Sequence, residues 1–245
     1  MRFTPAVGAA RLPYPVAVSR VLSVNLARPM PNPAKATKAT KATKATKVTG
    51  IDKVPTDQAV PVRAPGPMRG GAGSGLRDDV IGNQRLHGGD DQAVYAYARE
   101  DLDHWQSTLD RPLANGNFGE NLTTAGVDVT GARIGERWRV GTDGLLLEVT
   151  SPRTPCRTFA SFLGVRGWIT TFTRAAAPGA YLRVIHPGTV RAGDDIEVVD
   201  RPDTDITVGL VFRAIRGGES ELLPRLLDVA ALPEDIRALA RKRIA

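Results

Sequence analysis

A chain of 245 residues with 42% hydrophobic content is long enough for one large β-rich domain, or for one domain with a small appendage. Its single cysteine excludes an intrachain disulfide and suits a reducing cytoplasm, and its sequence has no apolar run near the roughly 18 residues that span a membrane. The net charge of +7 is misleading, because residues 1–49 hold nine Lys and Arg and no acid, which leaves 24 basic and 26 acidic residues after them. The folded body therefore lacks the basic excess expected of a nucleic-acid-binding protein.

The first 47 residues contain three different segments. Proline and Arg11 interrupt the apolar stretches of residues 1–17, so we predict a disordered leader, or a start codon assigned too far upstream, rather than a signal peptide. Residues 18–27 alternate Val and Leu with small polar residues, which predicts the first strand. Residues 34–47 place a lysine at every third position, a period that matches neither helix nor strand, and predict a disordered loop insertion. A weak contact with an anionic surface is the alternative for this lysine repeat.

The next segment leads to a glycine-flanked histidine. Residues 49–53 predict a turn and residues 60–64 a short strand. The charged stretch 76–89 ends in His87 followed by two glycines, which permit close approach of the backbone to a ligand. A plain surface loop is the alternative for this stretch.

The middle of the chain predicts a strand, a helix and a series of short strands. Residues 92–98 predict a strand with Tyr95 and Tyr97 on one side, and residues 99–109 predict a helix with an apolar stripe at spacings of three and four. Residues 116–124 combine small and amide side chains around one aromatic residue and predict a shaped loop. Short strands with turns every 8–12 residues or so then indicate a barrel or a sandwich.

The last third predicts two helices, two strands and a helical end. Residues 159–163 and 168–173 have helical spacing, whereas 180–185 and 196–199 predict strands. The core candidates on the two helices are Phe162, Ile169 and Phe172. Residues 205–245 predict about three short helices in a C-terminal module.

The only cysteine, Cys156, lies on a stiff segment. Pro152 and Pro155 each fix φ and remove a backbone donor, which predicts a rigid turn after a strand. Arg153 and Arg157 favour a thiolate over a thiol. The alternative is that Cys156 is a small buried hydrophobic residue, which is the usual state of a lone cysteine.

Taken together, these segments resemble the MOSC domain family, named for the C-terminal domain of molybdenum cofactor sulfurases, and within it the YiiM-like branch. The motifs that carry the resemblance are Asp79-Val80-Ile81-Gly82, His87-Gly88-Gly89 followed by Gln92-Ala93-Val94-Tyr95, Phe118-Gly119-Glu120-Asn121-Leu122-Thr123, Ile134-Gly135-Glu136-Arg137-Trp138 and Pro152-Arg153-Thr154-Pro155-Cys156. Their order along residues 18–245, without the lysine repeat, makes the resemblance more specific than any single motif.

The resemblance implies a mainly β fold with helices. Residues 18–200 would form a MOSC β-barrel with the insertion at 34–47, and residues 205–245 would form a small three-helix module.

The resemblance also implies a molybdenum–pterin cofactor whose metal is ligated by Cys156. A thiolate is a soft ligand suited to such a metal. The residues predicted to hold the cofactor, including its phosphate, are Arg85, Gly119, Leu122, Arg153, Thr154 and Arg157. Glu120 and Asn121 either orient a substrate or fix their own loop, and His87 either reaches the site or is a turn histidine.

The implied activity is the reduction of N-hydroxylated compounds such as hydroxylamino-purines. With one cysteine and no dinucleotide fingerprint, the sequence predicts a separate flavin or iron–sulfur electron donor. It predicts no nucleic-acid or membrane partner and no pyridoxal phosphate site, and a homodimer stays open. The alternatives are a non-catalytic carrier of the cofactor or of sulfur, and a thiol enzyme in which His87 or His186 is the base of Cys156.

Overall fold

The computed structural model describes residues 18–34 and 48–245. The predicted leader and the lysine repeat, apart from Ala34, lie outside the described residues. The prediction of disorder for both segments therefore stays a prediction.

The described residues form a mixed β structure with helices. The strands are β1 (Arg20–Ala27), β2 (Met30–Pro31), β3 (Val48–Thr49), β4 (Lys53–Thr56), β5 (Val60–Val62), β6 (Val94–Ala98), β7 (Leu122–Ala125), β8 (Arg137–Val140), β9 (Leu145–Pro152), β10 (Ala180–His186), β11 (Gly188–Val190) and β12 (Ile196–Asp200). The α-helices are α1 (Arg99–Leu109), α2 (Arg157–Leu163), α3 (Trp168–Ala175), α4 (Val208–Phe212) and α5 (Glu234–Ile244).

One large sheet organises the chain in the order β12-β8-β9-β10-β6-β7-β1-β4. Its pairs are antiparallel except β6 with β7, which are parallel. An isolated bridge joins Arg20 to Asp195, and the amide of Ile196 donates to the carbonyl of Ser19 at 2.7 Å, so the start of β1 lies against the start of β12. These few bonds do not continue as a ladder. The prediction of a closed β-barrel is therefore corrected to a large mixed sheet, because strand pairing ends at β12 and β4.

The buried apolar side chains form two clusters. The first contains the inward side chains of the sheet together with C-terminal residues such as Val211 and Leu226. The second is aromatic, and its largest members are Tyr95, Tyr97, Trp105, Phe118, Phe159, Trp168, Phe172 and Phe212. Cys156 packs against the edge of this aromatic cluster.

Helix positions were predicted better than the side chains that they bury. Helix α1 has the predicted bounds, and α2 and α3 lie where helical spacing was found. Phe172 is buried as expected, but Phe162 and Ile169 are only half-buried, while Phe159 and Trp168 are fully covered. The direction of each short helix is set by its contact with the aromatic cluster, which local spacing does not contain.

Two short strands begin at residues typical of turns. Lys53 ends the predicted turn at 49–53, which contains Gly50 and Asp52, but it starts β4, which pairs with β1. Gly188 starts β11, which pairs with β5. A Cβ at Gly188 would lie 2.6 Å from the amide nitrogen of Leu145, so close backbone packing, rather than a turn, explains this glycine.

The C-terminal segment is helical, as predicted. Helix α4 continues into a π-helical turn at Arg213–Gly217, followed by a 3₁₀ helix at Ser220–Leu226 and by α5. Their buried side chains share the first apolar cluster with the sheet. The grouping of these helices into a separate three-helix module stays a prediction.

Candidate functional site around Cys156

Cys156 lies at the junction of β9 and α2. Strand β9 ends at Pro152, and Cys156 has extended backbone angles as the N-cap of α2. Its Sγ accepts a hydrogen bond from the amide of Phe159 at 3.5 Å, and the residue is half-buried. The thiol is therefore held in a fixed place and is still accessible, which is the arrangement that a metal ligand or a nucleophile requires.

Arg153 is a buried cation three residues before Cys156. Only 6% of the residue is exposed, and its guanidinium carbon lies 3.8 Å from the ring centre of Phe159 and 5.5 Å from that of Tyr95. Its Nη1 is buried without a hydrogen-bond partner, and within residues 18–34 and 48–245 the structure pairs it with no carboxylate. Aromatic faces offset part of the cost of burying this charge, but a donor stays unused.

Tyr95 and Tyr181 lie next to each other near Arg153. The rings of Tyr95 and Tyr181 lie 5.2 Å apart. The Tyr95 hydroxyl donates to the carbonyl of Pro178 at 2.8 Å, whereas the Tyr181 hydroxyl has no hydrogen-bond partner among the described residues. Burial raises the pKa of both phenols, and the neighbouring Arg153 charge opposes this increase.

His87 is brought within electrostatic range of Arg153. Its backbone amide donates to the carbonyl of Asn83 at 3.1 Å, and the following Gly88 has a φ of 87°. A Cβ at Gly88 would lie 2.5 Å from the carbonyl oxygen of Gly73, so glycine is required for this loop to close. Burial lowers the pKa of His87 and the Arg153 charge lowers it further, so the imidazole is neutral at pH 7.

Glu120 fixes the loop that carries it. Its side chain is fully buried and accepts hydrogen bonds from the amides of Gly116 at 2.6 Å and Phe118 at 3.0 Å, and from the hydroxyl of Thr123 at 2.9 Å. Burial raises the pKa of Glu120, and these donors oppose the increase. The contacts are those of the loop-fixing role, one of the two roles that the sequence left open.

Asn121 has a similar structural position. Its Oδ1 accepts from the amide of Tyr95 at 3.2 Å, and its Nδ2 donates to Asp79 Oδ2 at 2.9 Å. The residue is buried, so both ends of the amide are used inside the fold. These bonds join the loop at 116–122 to the segment that leads to His87.

The partner of Asn121 is the centre of a buried ion pair that sequence reasoning missed. Asp79 Oδ1 lies 2.5 Å from Lys53 Nζ, with 0% and 4% of the two side chains exposed. Asp79 also accepts from Ser74 Oγ at 2.7 Å and from the amide of Ala27 at 2.9 Å. Burial alone raises the pKa of Asp79, but the charge and hydrogen bond of Lys53 bring it below its usual value. The motif at 79–82 was noted in the sequence, but its partner across 26 residues was not.

The backbone amides of Gly119 and Leu122 were predicted to hold a phosphate. The amide of Gly119 donates to the carbonyl of Gly116 at 2.8 Å. Leu122 is buried in β7, between partners on β1 and β6. The amide of Gly119 therefore already has a partner in its own loop, and the binding of the cofactor by Gly119 and Leu122 stays a prediction. The loop still approaches the site, because the rings of Phe118 and Phe159 lie 5.1 Å apart.

The remaining predicted residues either are exposed on the surface or lie far from Cys156. Arg85, Thr154 and Arg157 are exposed, so Arg153 is the buried member of the predicted cationic set. His186 is exposed at the far end of β10, where it pairs with Leu146, whereas Ala180 at the near end pairs with Pro152. Six residues of strand separate the two ends by about 20 Å, so His186 is excluded as the base of Cys156.

In residues 18–34 and 48–245, no three His, Cys, Asp or Glu side chains come together as a metal site. None of the helices in the same ranges is both long and apolar enough to cross a membrane.

Comparison with known proteins identifies the family. The protein-family model described as "MOSC domain" matches residues 83–197, which include His87, Arg153 and Cys156. The uncharacterized protein YflK of Bacillus subtilis is 35% identical over 159 residues, which are 64% of this chain and 71% of YflK. The protein YiiM of Escherichia coli is 30% identical over 137 residues, which are 55% of this chain and 60% of that protein. The chain belongs to the MOSC domain family and is a YiiM-like member.

One further relative is named "Reductase" and comes from Gibberella moniliformis. It is 31% identical over 143 residues, which are 56% of this chain but only 25% of that longer protein.

Solved structures show the same fold. The crystal structure of YiiM from Geobacillus stearothermophilus matches with a TM-score of 0.71 at 23% identity, over 93% of this chain and all of that chain. YiiM from Escherichia coli matches with a TM-score of 0.63 at 25% identity, over 80% and 88% of the two chains. The sheet and its helices are therefore those of the YiiM fold.

Proposed function

We propose that this protein is a molybdenum–pterin-dependent reductase of N-hydroxylated compounds, with Cys156 as the ligand that the chain gives to the metal. The observation that carries this proposal is the buried Arg153 donor without a partner, three residues from an accessible thiol. A buried charge without a counter-ion is costly, so this arrangement favours an anionic ligand.

The residues present fit such a group. A thiolate binds soft, redox-active metals, and the cofactor carries anionic groups that a buried guanidinium stabilises. Arg157 and Arg85 are exposed, so each can meet a phosphate from the solvent side. When bound, the cofactor supplies the two-electron chemistry that converts an N-hydroxy group into an amine.

The chain itself supplies binding, orientation and proton control. Cys156 would ligate the metal from the N-terminus of α2, and Arg153 would neutralise negative charge beside Cys156. His87 is neutral at pH 7, so it can accept or donate a hydrogen bond without adding a second cation next to Arg153. The ring of Phe159 packs against the Arg153 guanidinium, which keeps Nη1 in one position.

The overall reaction balances with an external reductant. The N–O bond breaks, two electrons and two protons are consumed, and an amine and water are formed. We propose a separate flavin or iron–sulfur protein as the source of the electrons.

Cys156→Ser tests the proposal without disturbing the helix. Serine is a strong N-cap, so its hydroxyl takes over the bond from the Phe159 amide and the variant is expected to fold as the wild type does. Cys156→Ala is the matched control, because it removes both the cap and the ligand. We expect wild-type protein from a cofactor-competent host to contain molybdenum and pterin and to reduce an N-hydroxylated purine.

The two variants are expected to lose the metal and the activity, and only the alanine variant is expected to lose stability as well. A Cys156→Ser protein that reduces the purine at the wild-type rate would contradict the proposal. Bound molybdenum without reduction by any donor would instead indicate the carrier alternative.

A further inference from the structure

Tyr95 and Tyr181 differ in what their hydroxyl groups do. They are register partners on β6 and β10, so both rings lie on the same face of the sheet. The Tyr95 hydroxyl is used in a hydrogen bond to Pro178, and the residue is buried. Tyr181 is half-buried, and within the described ranges nothing accepts from or donates to its hydroxyl. Of the two phenols, Tyr181 alone can offer its proton to a ligand.

The position of Tyr181 is that of the candidate site. It pairs with Ser151 on β9, two residues before Arg153, and packs on the aromatic cluster that Cys156 also contacts. Burial raises the pKa of Tyr181, the charge of Arg153 opposes this increase, and the charge of Cys156 adds to it. The phenol is therefore within electrostatic range of both groups.

The proposed reaction needs a proton at the oxygen that leaves. If the N–O bond of an N-hydroxylated amine breaks without a donor, the oxygen departs as hydroxide, which is a poor leaving group. A proton transferred in that step lets the oxygen leave as water, together with the electron pair of the broken N–O bond. The nitrogen receives the two electrons that come from the external reductase and takes its own proton from solvent.

We propose that Tyr181 is the residue that donates this proton, an assignment that rests on the proposed reductase function. A phenol is a stronger acid than water, so it can protonate the oxygen that leaves, and it is fully protonated at pH 7. The Arg153 guanidinium stabilises the phenolate until solvent returns the proton. His87 is less suited to this step, because its imidazole carries no extra proton at pH 7.

Tyr181→Phe is the test, and Tyr95→Phe is the matched control. Both changes remove one oxygen from neighbouring rings and keep the aromatic contacts. We expect Tyr181→Phe to lower kcat by about 100-fold or more, with molybdenum content, thermal midpoint and substrate Kd close to those of the wild type. We expect Tyr95→Phe to lower the thermal midpoint, because the Pro178 carbonyl loses its donor, with kcat within about threefold of the wild type.

The outcomes separate the two proposals. Wild-type kcat in Tyr181→Phe overturns the role of Tyr181 and leaves the reductase function in place. A loss of molybdenum or of stability that accounts for the lost activity also overturns it, since Tyr181 would then be structural. If wild-type protein binds no molybdenum or reduces no N-hydroxylated compound, the proposed function fails and the role of Tyr181 fails with it.

Discussion

Arg153→Met separates a binding role of Arg153 from a structural one. Methionine keeps the length and the apolar stem of the side chain but removes the charge and the donors. The change therefore tests why a guanidinium is buried beside Cys156 at all.

The expected change in stability is small because two terms oppose each other. The contact of the guanidinium with Phe159 at 3.8 Å contributes about 2 kcal/mol, and methionine loses it. The unpartnered Nη1 costs about 1–3 kcal/mol, and methionine removes that cost. The free energy of unfolding of the cofactor-free protein should therefore stay within about 1 kcal/mol of the wild type, a shift of about 4 °C or less in Tm.

Arg183→Met is the matched control. The Arg183 guanidinium pairs with Asp91 at 2.6 Å and Glu148 at 3.1 Å, and it donates to the carbonyl of Ala231 at 3.0 Å. Its removal leaves these acceptors with fewer donors and should cost about 2–3 kcal/mol. Molybdenum content per folded molecule should stay unchanged in this control.

The assay measures thermal unfolding of cofactor-free protein, and molybdenum and pterin content after expression in a cofactor-competent host. We expect Arg153→Met to lose the cofactor at nearly unchanged stability, and Arg183→Met to show the reverse. A loss of more than about 3 kcal/mol in Arg153→Met with normal molybdenum content would refute the reasoning, because Arg153 would then be a structural residue.

Two further predictions concern buried charges. Lys53→Met leaves the Asp79 carboxylate buried without its cation and should lower the free energy of unfolding by about 3–5 kcal/mol at pH 7. Because the folded-state pKa of Asp79 is lowered, its stabilising contribution is present above the usual value near 3.8 and is lost as the pH falls. Chemical denaturation should therefore show the difference in stability from the wild type shrinking below about pH 4. The folded-state pKa of His87 is lowered below 6.5, so its contribution to stability is present above pH 6.5 and is lost at lower pH. His87→Gln should therefore lose less thermal stability than the wild type between pH 7 and pH 5. Equal losses in the two proteins would contradict the described environment of His87.

Residues whose partners are close in sequence were the ones that local reasoning could interpret. The three donors to Glu120 all lie within four residues of it, so a loop-fixing role could be written down from the sequence as one of two roles. The lone Cys156 and its prolines are also local, which is why the strand-to-helix turn was predicted correctly.

Partners that depend on the sheet were out of reach. Lys53 and Asp79 meet only because β4 pairs with β1 beside the loop that carries Asp79. Three arginines were predicted to hold the cofactor, and no local signal shows that Arg153 is buried while Arg85 and Arg157 are exposed. The failure to predict an open sheet has the same origin, since register shifts in β1 and β12 depend on their neighbours.

The polar groups near Cys156 divide by whether the fold already satisfies them. The carboxylates of Glu120 and Asp79 accept several hydrogen bonds each, so their loss should lower stability before it lowers binding. Arg153 Nη1 is buried and has no partner among the described residues, and such a donor lowers the stability of the free protein. A ligand that accepts from Nη1 recovers that free energy when it binds. Binding energy is therefore expected to concentrate on Arg153, next to a thiol that the N-terminus of α2 already holds in place.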